Sequence, residues 1–249
     1  MTIKKAYQRL ILTVIFMMLT IIFYAIKVTK LTFSWTMTGF VIAIIIGILS
    51  VIASIYEYKH HPRPIEPFWS KWRFEILDWL TFLSVSMMTI FFIFTFFIIP
   101  AVVNKETPSM EPTLMRGDRV LVYHFMYEPK RHDVVVVERP GDIYYIKRIY
   151  AMPGDVIRFI ESGVGDYFIQ INGEFPKSPE DILYKCNFAG KEHMLLYIEN
   201  ERLKDGYYLV FGDNANNSAD SRAESVGPIE HNKILGKAIF RLWPFGGIS

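Results

Sequence analysis

Three stretches within the first 104 residues carry no charged side chain: 10–26 (17 residues), 31–56 (26 residues) and 79–104 (26 residues). A helix crosses the hydrocarbon core of a bilayer with about 20 apolar residues, the range being roughly 17–25. The second and third stretches meet that length, and the first sits at its lower limit. The sequence therefore predicts a membrane anchor over residues 1–104 with three transmembrane helices, at about 10–26, 36–56 and 79–103. Lys4, Lys5 and Arg9 would suit the basic start of a cleaved leader. Tyr24-Ala25-Ile26 offers no small-x-small cleavage site, however, so the first helix is expected to be retained.

The rest of the chain is of another kind. Residues 1–104 hold 13 charged side chains and are net +5, whereas residues 105–249 hold 39 and are net −3. That split excludes a single soluble globule and a disordered chain. The lack of a concentrated basic patch argues against a nucleic-acid partner. One cysteine, Cys186, leaves no intrachain disulfide framework and no Cys-rich metal site.

Lys and Arg near the spans set the orientation. Lys4, Lys5 and Arg9 precede the first span, and Lys59, Arg63, Lys71 and Arg73 lie between the second and third. The first connection has only Lys27 and Lys30. Residues 57–78 are thus read as a basic cytoplasmic loop, and residues 105–249 emerge on the far side. Trp69 and Trp72 suit interfacial anchors, and His60-His61-Pro62-Arg63-Pro64 reads as a Pro-broken connector.

Residues 105–249 read as strands. Short β-branched or aromatic runs at 119–125, 134–138, 144–150, 156–160, 167–171, 207–211 and 236–243 are separated by turn signals such as Met152-Pro153-Gly154-Asp155. The run 167–171 leading into Asn172-Gly173 is a hairpin signal. Only 179–184 and 228–233 look weakly helical. The expectation is an all-β extracytoplasmic catalytic domain, large enough to bury one core.

The six histidines form no metal-ligand spacing, and there is no GxSxG elbow, Walker loop or GxGxxG. His132-Asp133 is the tempting pair for a triad, but neighbours on a strand point to opposite faces. A Ser/Lys arrangement remains. Ser109, in Thr107-Pro108-Ser109-Met110-Glu111-Pro112, stands a few residues beyond the third span; alone, the segment also reads as a Pro-punctuated turn. Strand alternation places Tyr145, Lys147 and Ile149 on one face and Ile146, Arg148 and Tyr150 on the other. Burial among apolar neighbours would lower the lysine pKa and make its amine a base; a snorkelling edge lysine fits the same periodicity. The segment 212–222, rich in Gly, Asn and Ser, reads as a polar loop, with too few carboxylates for a calcium cage.

Four boxes in order resemble the type I signal peptidases, membrane-bound Ser/Lys proteases. They are Ser109-Met110-x-Pro112-Thr113-Leu114; Gly117-Asp118-Arg119-Val120-Leu121-Val122; Tyr145-Ile146-Lys147-Arg148 through Pro153-Gly154-Asp155; and Gly212-Asp213-Asn214-x-x-Asn217-Ser218-x-Asp220-Ser221-Arg222. The resemblance covers the chain from about Thr107 onward. It implies Ser109 as nucleophile and Lys147 as general base, with Ser218 orienting the lysine. The oxyanion hole would be the Ser109 backbone N–H and the Thr107 hydroxyl. Arg148 with Asp213, and Asp220 with Arg222, would be supporting ion pairs.

The chain departs from the family pattern in having Thr107 and Pro108 where several members have Ser and Gly, in a shorter 156–205 stretch, and in three spans. The resemblance further implies an enzyme of the bacterial inner membrane that needs no metal or cofactor. It would cut exported preproteins after Ala-x-Ala type sites, in contact with membrane lipid. Met110, Val122 and Tyr145 are expected to line the pocket, while Phe125, Met126 and the Trp243-Pro244-Phe245 corner either touch lipid or pack in a core. Two rival readings are a peptidase dedicated to one exported substrate and a catalytically silent membrane-tethered β scaffold. Retention of Ser109, Lys147, Thr107 and Ser218 together argues against silence.

Overall fold

The computed structural model describes residues 3–26, 34–60, 68–103, 108–140, 143–163 and 165–248. Two compact units divide the chain, Met1–Ile98 and Ile99–Ser249.

The first unit consists of three helices, α1 (Ile3–Ala25), α2 (Ser34–His60) and α3 (Phe68–Phe96). Phe40, Ala43, Met88, Phe92 and Phe96 form their common core, with Phe16 and Phe23 packed against it. Small residues let the helices approach: a side chain at Gly39 would overlap the Phe91 ring, and Ser84 Oγ donates to the Ala43 carbonyl at 2.8 Å. Each helix is also apolar outward, as at Ile21, Leu49 and Phe82, all more than half exposed. Among the described residues one window, Asp78–Phe96, is long and apolar enough to cross a membrane; Ile11–Phe23 and Met37–Ala53 are shorter apolar helical segments.

The expected third helix, 79–103, is corrected at both ends. Helix α3 starts eleven residues earlier, because charged residues end an apolar stretch without ending a helix. It stops at Phe96, and Ile98–Val102 forms strand β1. Pro100 lacks the N–H a helix needs and pushes Ile99 into extended geometry, and β-branched Ile98, Ile99 and Val102 favour a strand. As an edge strand, β1 tolerates the proline.

The second unit is largely β-sheet. Its strands are β2 (Arg119–Tyr123), β3 (Val134–Arg139), β4 (Ile143–Ala151), β5 (Ile157–Gly163), β6 (Asp166–Ile171), β7 (Lys185–Asn187), β8 (Ile198–Glu199), β9 (Arg202–Leu203), β10 (Tyr207–Phe211), β11 (Ile229–Glu230), β12 (Ile234–Trp243) and β13 (Gly246–Gly247). The main sheet has the order β1-β2-β12-β3-β4-β10-β11, with β13 on β12. Strands β5-β6-β7 form a second sheet, and β8-β9 a third. After β6, Asn172 and Gly173 both take positive φ (51° and 87°) and close a tight turn from Ile171 to Glu174, as the Asn-Gly pair dictates.

Strand β10 and the second half of β4 are buried on both faces and feed two cores. Ile149, Tyr208 and Val210 join Val135, Val137 and Ile234 on one side. Tyr150, Ala151, Leu209 and Phe211 join Ile157, Ile169, Tyr184 and Cys186 on the other. Burial pushes the Cys186 thiol up to about 12, as suits a core residue.

Helix content is the main correction to an all-β reading. Residues 179–184 are not helical: Asp181 has φ 62° and Lys177 bridges Leu183. Residues 228–233 contain β11 and one 3-10 turn, His231–Lys233. The unit's α-helix, α4 (Phe188–Leu195), falls where none was expected, capped by Asn187 Oδ1 accepting from Gly190 N at 2.8 Å.

Leu209, fully buried in β10, tests this two-core arrangement. Leu209→Ala should destabilise the unit by about 2–5 kcal/mol, read as a lowered denaturation midpoint of the purified protein at unchanged slope.

Candidate active site

Alternation along β4 sends consecutive side chains to opposite cores. Lys147 follows the row of Tyr145 and Ile149, and its ammonium lies 5.3 Å from the Tyr145 ring centroid. Arg148 follows Tyr150 to the other face. Strand β3 pairs Val135 with Lys147, and β10 pairs Phe211 with Arg148.

Lys147 is 3% exposed, and its Nζ donates to Ser109 Oγ at 2.7 Å. Burial lowers its pKa from 10.5 to about 8; Arg222 pushes the same way, and Asp220 and Asp213 oppose. Ser109 sits in a turn pinned from both directions: Glu111 N donates to Pro108 O, and Asn214 N donates to Ser109 O at 3.1 Å. Buried Met110 and Leu114 anchor that turn in the core.

The supporting charges form two buried pairs. Arg148 grips Asp213 with both Nε (2.8 Å) and Nη2 (2.7 Å), while its Nη1 donates to the His132 carbonyl. Nη2 also reaches Thr113 Oγ1 at 3.5 Å, tying the pair to the Ser109 turn. Asp220, fully buried, accepts from Arg222 Nε and Nη2 at 2.8 Å and from Gly212 N at 2.8 Å. Arg222 lies 4.9 Å over the Tyr184 ring and donates to Ala215 O. These contacts close residues 212–222 into a fixed loop.

Gly212 has no room for a side chain, since a Cβ would overlap Ser218 Oγ and the Ser109 carbonyl. Ser218 is therefore packed beside the Ser109 turn. Its Oγ is buried and makes no hydrogen bond among the described residues, so the expected bond to the lysine is not formed here. Thr107 lies outside the described residues. His132 and Asp133 are not brought to Ser109: Asp133 accepts from Tyr127 Oη at 2.7 Å and pairs with Lys237 at 2.6 Å. No cluster of three or more His, Cys, Asp and Glu side chains among the described residues could hold a metal ion.

A cavity of about 300 Å³ opens beside Ser109 and Lys147; Met110, Tyr145 and Ala219 also line it, with Val102 and Val103 beside Ile143, Tyr144 and Ile146. Of the expected lining residues Met110 and Tyr145 are present, whereas Val122 is buried within β2 and does not line this cavity. Ala219, Val102 and Val103 carried no sequence signal, because their role comes from the fold bringing 102, 145 and 219 together.

Comparison with known proteins identifies the family. The family described as signal peptidase, peptidase S26, matches residues 76–243. Signal peptidase IB of Staphylococcus aureus (strain COL) is 32% identical over 188 residues, covering 69% of this chain and 91% of its own length. Signal peptidase I of Bacillus licheniformis is 30% identical over 183 residues, covering 70% and 91%. The chain belongs to the signal peptidase family, peptidase S26, and is an enzyme of that family.

The Arg148–Asp213 pair tests the electrostatics. Asp213→Ala leaves a buried guanidinium uncompensated and should cost about 3–5 kcal/mol, measured by chemical unfolding beside the wild type.

Proposed function

We propose that this protein is a membrane-bound Ser/Lys endopeptidase that removes N-terminal signal peptides from exported preproteins, cutting after small residues at Ala-x-Ala type sites. The family match carries signal-peptide removal. The chemistry rests on the 2.7 Å hydrogen bond from the buried Lys147 Nζ to Ser109 Oγ.

In this reading the neutral Lys147 amine takes the Ser109 proton as Oγ attacks the scissile carbonyl carbon. The oxyanion is held by the Ser109 N–H and by Thr107, whose hydroxyl the family resemblance assigns to that role. The lysine ammonium then protonates the leaving amine, and a water deprotonated by Lys147 releases the acyl enzyme. Lysine needs no third residue to fix a tautomer, as a histidine base does. Arg148, Asp213, Asp220 and Arg222 hold the loops, and Ser218 packs beside the dyad. No metal or cofactor enters these steps.

Met110, Tyr145 and Ala219 line the cavity beside Ser109, and the preference for small residues is carried over from the family resemblance. Beyond Arg148, the edge of β4 from Ile143 to Ile146 pairs with β3 alone among the described strands. An extended preprotein segment can add to that edge by β-augmentation.

The anchor is proposed to be three-pass in the bacterial cytoplasmic membrane, with residues 57–78 cytoplasmic and the β unit extracytoplasmic. Helices apolar on all sides support it, as does the Lys/Arg distribution. Met126, Trp243 and Phe245, exposed by 66%, 68% and 74%, are the candidates for lipid contact, whereas Phe125 is half-buried.

Preprotein cleavage by detergent-solubilised enzyme tests the dyad. Ser109→Ala and Lys147→Ala should each lower kcat/KM by about four orders of magnitude, and a chelator should change nothing. Variants that cut as well as the wild type would refute the assignment. Because the base works deprotonated and its pKa lies at about 8, the rate should rise about ten-fold between pH 7 and pH 9. A flat profile would count against Lys147.

The topology has its own check. In spheroplasts, added protease should degrade epitope tags within residues 105–249 and spare a tag in the 57–78 loop until the membrane is permeabilised. The reverse pattern would overturn the orientation.

A further inference from the structure

A buried tyrosine outside the four sequence boxes touches the loop that shapes the dyad. Tyr184, 1% exposed, donates its hydroxyl to the Gly212 carbonyl at 2.9 Å, and its oxygen lies 3.0 Å from the Tyr150 hydroxyl. The amide on the other side of the same residue is also held, Gly212 N donating to Asp220 Oδ2 at 2.8 Å. Gly212 is thus fixed at both its N–H and its C=O. It also packs against the Ser109 turn, since any added atom there would overlap Ser218 Oγ and the Ser109 carbonyl. Asn214, two residues on, holds the same carbonyl through its N–H. The Tyr184 ring is clamped between Phe211, 4.8 Å away, and the Arg222 guanidinium, so its hydroxyl has little freedom to point elsewhere.

We propose that Tyr184 is a positioning residue for the peptidase reaction: its hydroxyl fixes the Gly212 peptide, which sets the separation of Ser109, Ser218 and Lys147. This rests on the Ser/Lys reading above. The hydroxyl touches neither substrate nor the reacting atoms, so its effect belongs in turnover rather than in substrate binding. Releasing Gly212 would also admit water beside Lys147. Hydration favours the ammonium, and the base would then titrate at higher pH.

The test uses the full-length enzyme in detergent with a preprotein substrate, comparing Tyr184→Phe with Tyr208→Phe, Ser109→Ala and Lys147→Ala. Tyr208 is the control: it is a buried tyrosine of the other core, and its hydroxyl lies 3.2 Å from His231 Nδ1 and makes no hydrogen bond to Gly212 or Tyr184. Tyr184→Phe should lower kcat about ten-fold with KM within two-fold, and should move the rising limb of the pH profile to higher pH. Tyr208→Phe should do neither. The position of the limb does not depend on how much enzyme is folded, so it reads positioning even in a partly unfolded sample.

Wild-type turnover and pH profile in Tyr184→Phe, or the same changes in both phenylalanine variants, would overturn the proposal. So would activity lost only in step with a fallen unfolding midpoint, which would make Tyr184 a core residue and nothing more. Retained activity in Ser109→Ala and Lys147→Ala would instead defeat the dyad, whatever Tyr184 does.

Discussion

A lysine amine can serve as a base near neutral pH, the role proposed for Lys147, only if its surroundings withhold what an ammonium needs, and burial in the β unit supplies that restriction. Lys147 has a neutral hydroxyl as its direct partner, Ser109 Oγ, rather than a carboxylate. The carboxylates that could stabilise its charge are engaged elsewhere: Asp213 by the Arg148 fork and Asp220 by Arg222 and the Gly212 N–H. Each buried acid is matched by a buried guanidinium, which weakens its pull on the lysine without cancelling it, and burial outweighs what remains. Replacing either arginine by a neutral residue would harm the site twice, by stranding an acid in the core and by raising the lysine pKa through that acid.

The sheet makes this separation possible. Strand β10 and the second half of β4 have a core on each face, so two adjacent residues of β4 can both be buried and yet never compete. Lys147 turns to the face where the Ser109 turn arrives; Arg148 turns to the face where β10 runs on into Gly212 and Asp213. The Phe211–Arg148 register delivers Asp213 to the arginine and not to the lysine. A one-residue slip of β4 would exchange the two roles and place a permanent cation beside the serine.

Much of this was legible. Strands built from β-branched runs between Pro-Gly and Asn-Gly turns appear where the alternation placed them, and Lys147 faces the Tyr145–Ile149 side as the period of two requires. What escaped depended on long-range contacts or on signals that cancel. Helix α4 begins at a good cap, Asn187, but Gly190 weakens its propensity. That glycine is needed because a side chain there would strike the Arg222 carbonyl, a contact no local rule reads. The end of α3 was overrun because hydropathy measures span length, whereas Pro100 decides where helix gives way to strand. Val122 alternates correctly for a pocket wall but lies on a strand covered on both sides. The Ser218 contribution, carried over by resemblance, meets a side chain packed on Gly212 with its hydroxyl unbonded among the described residues.

The open edge of β4 completes the physical picture. Sheet proteins ordinarily cover, shorten or charge such an edge, because unpaired strand N–H and C=O groups recruit other chains. Here the residues from Ile143 to Ile146 are apolar or aromatic, and Ile143 and Tyr144 are about half exposed. None of the usual protections is present on that stretch among the described residues. The liability coincides with the cavity wall and ends at Arg148, where β10 takes over the pairing. In the proposed reading an extended segment that pairs there runs toward Ser109, and the register of its hydrogen bonds fixes which carbonyl reaches that serine. In the proposed reaction the cavity beside Ser109 receives the side chain, the strand edge selects an extended backbone, and the chemistry is confined to the point where the two meet.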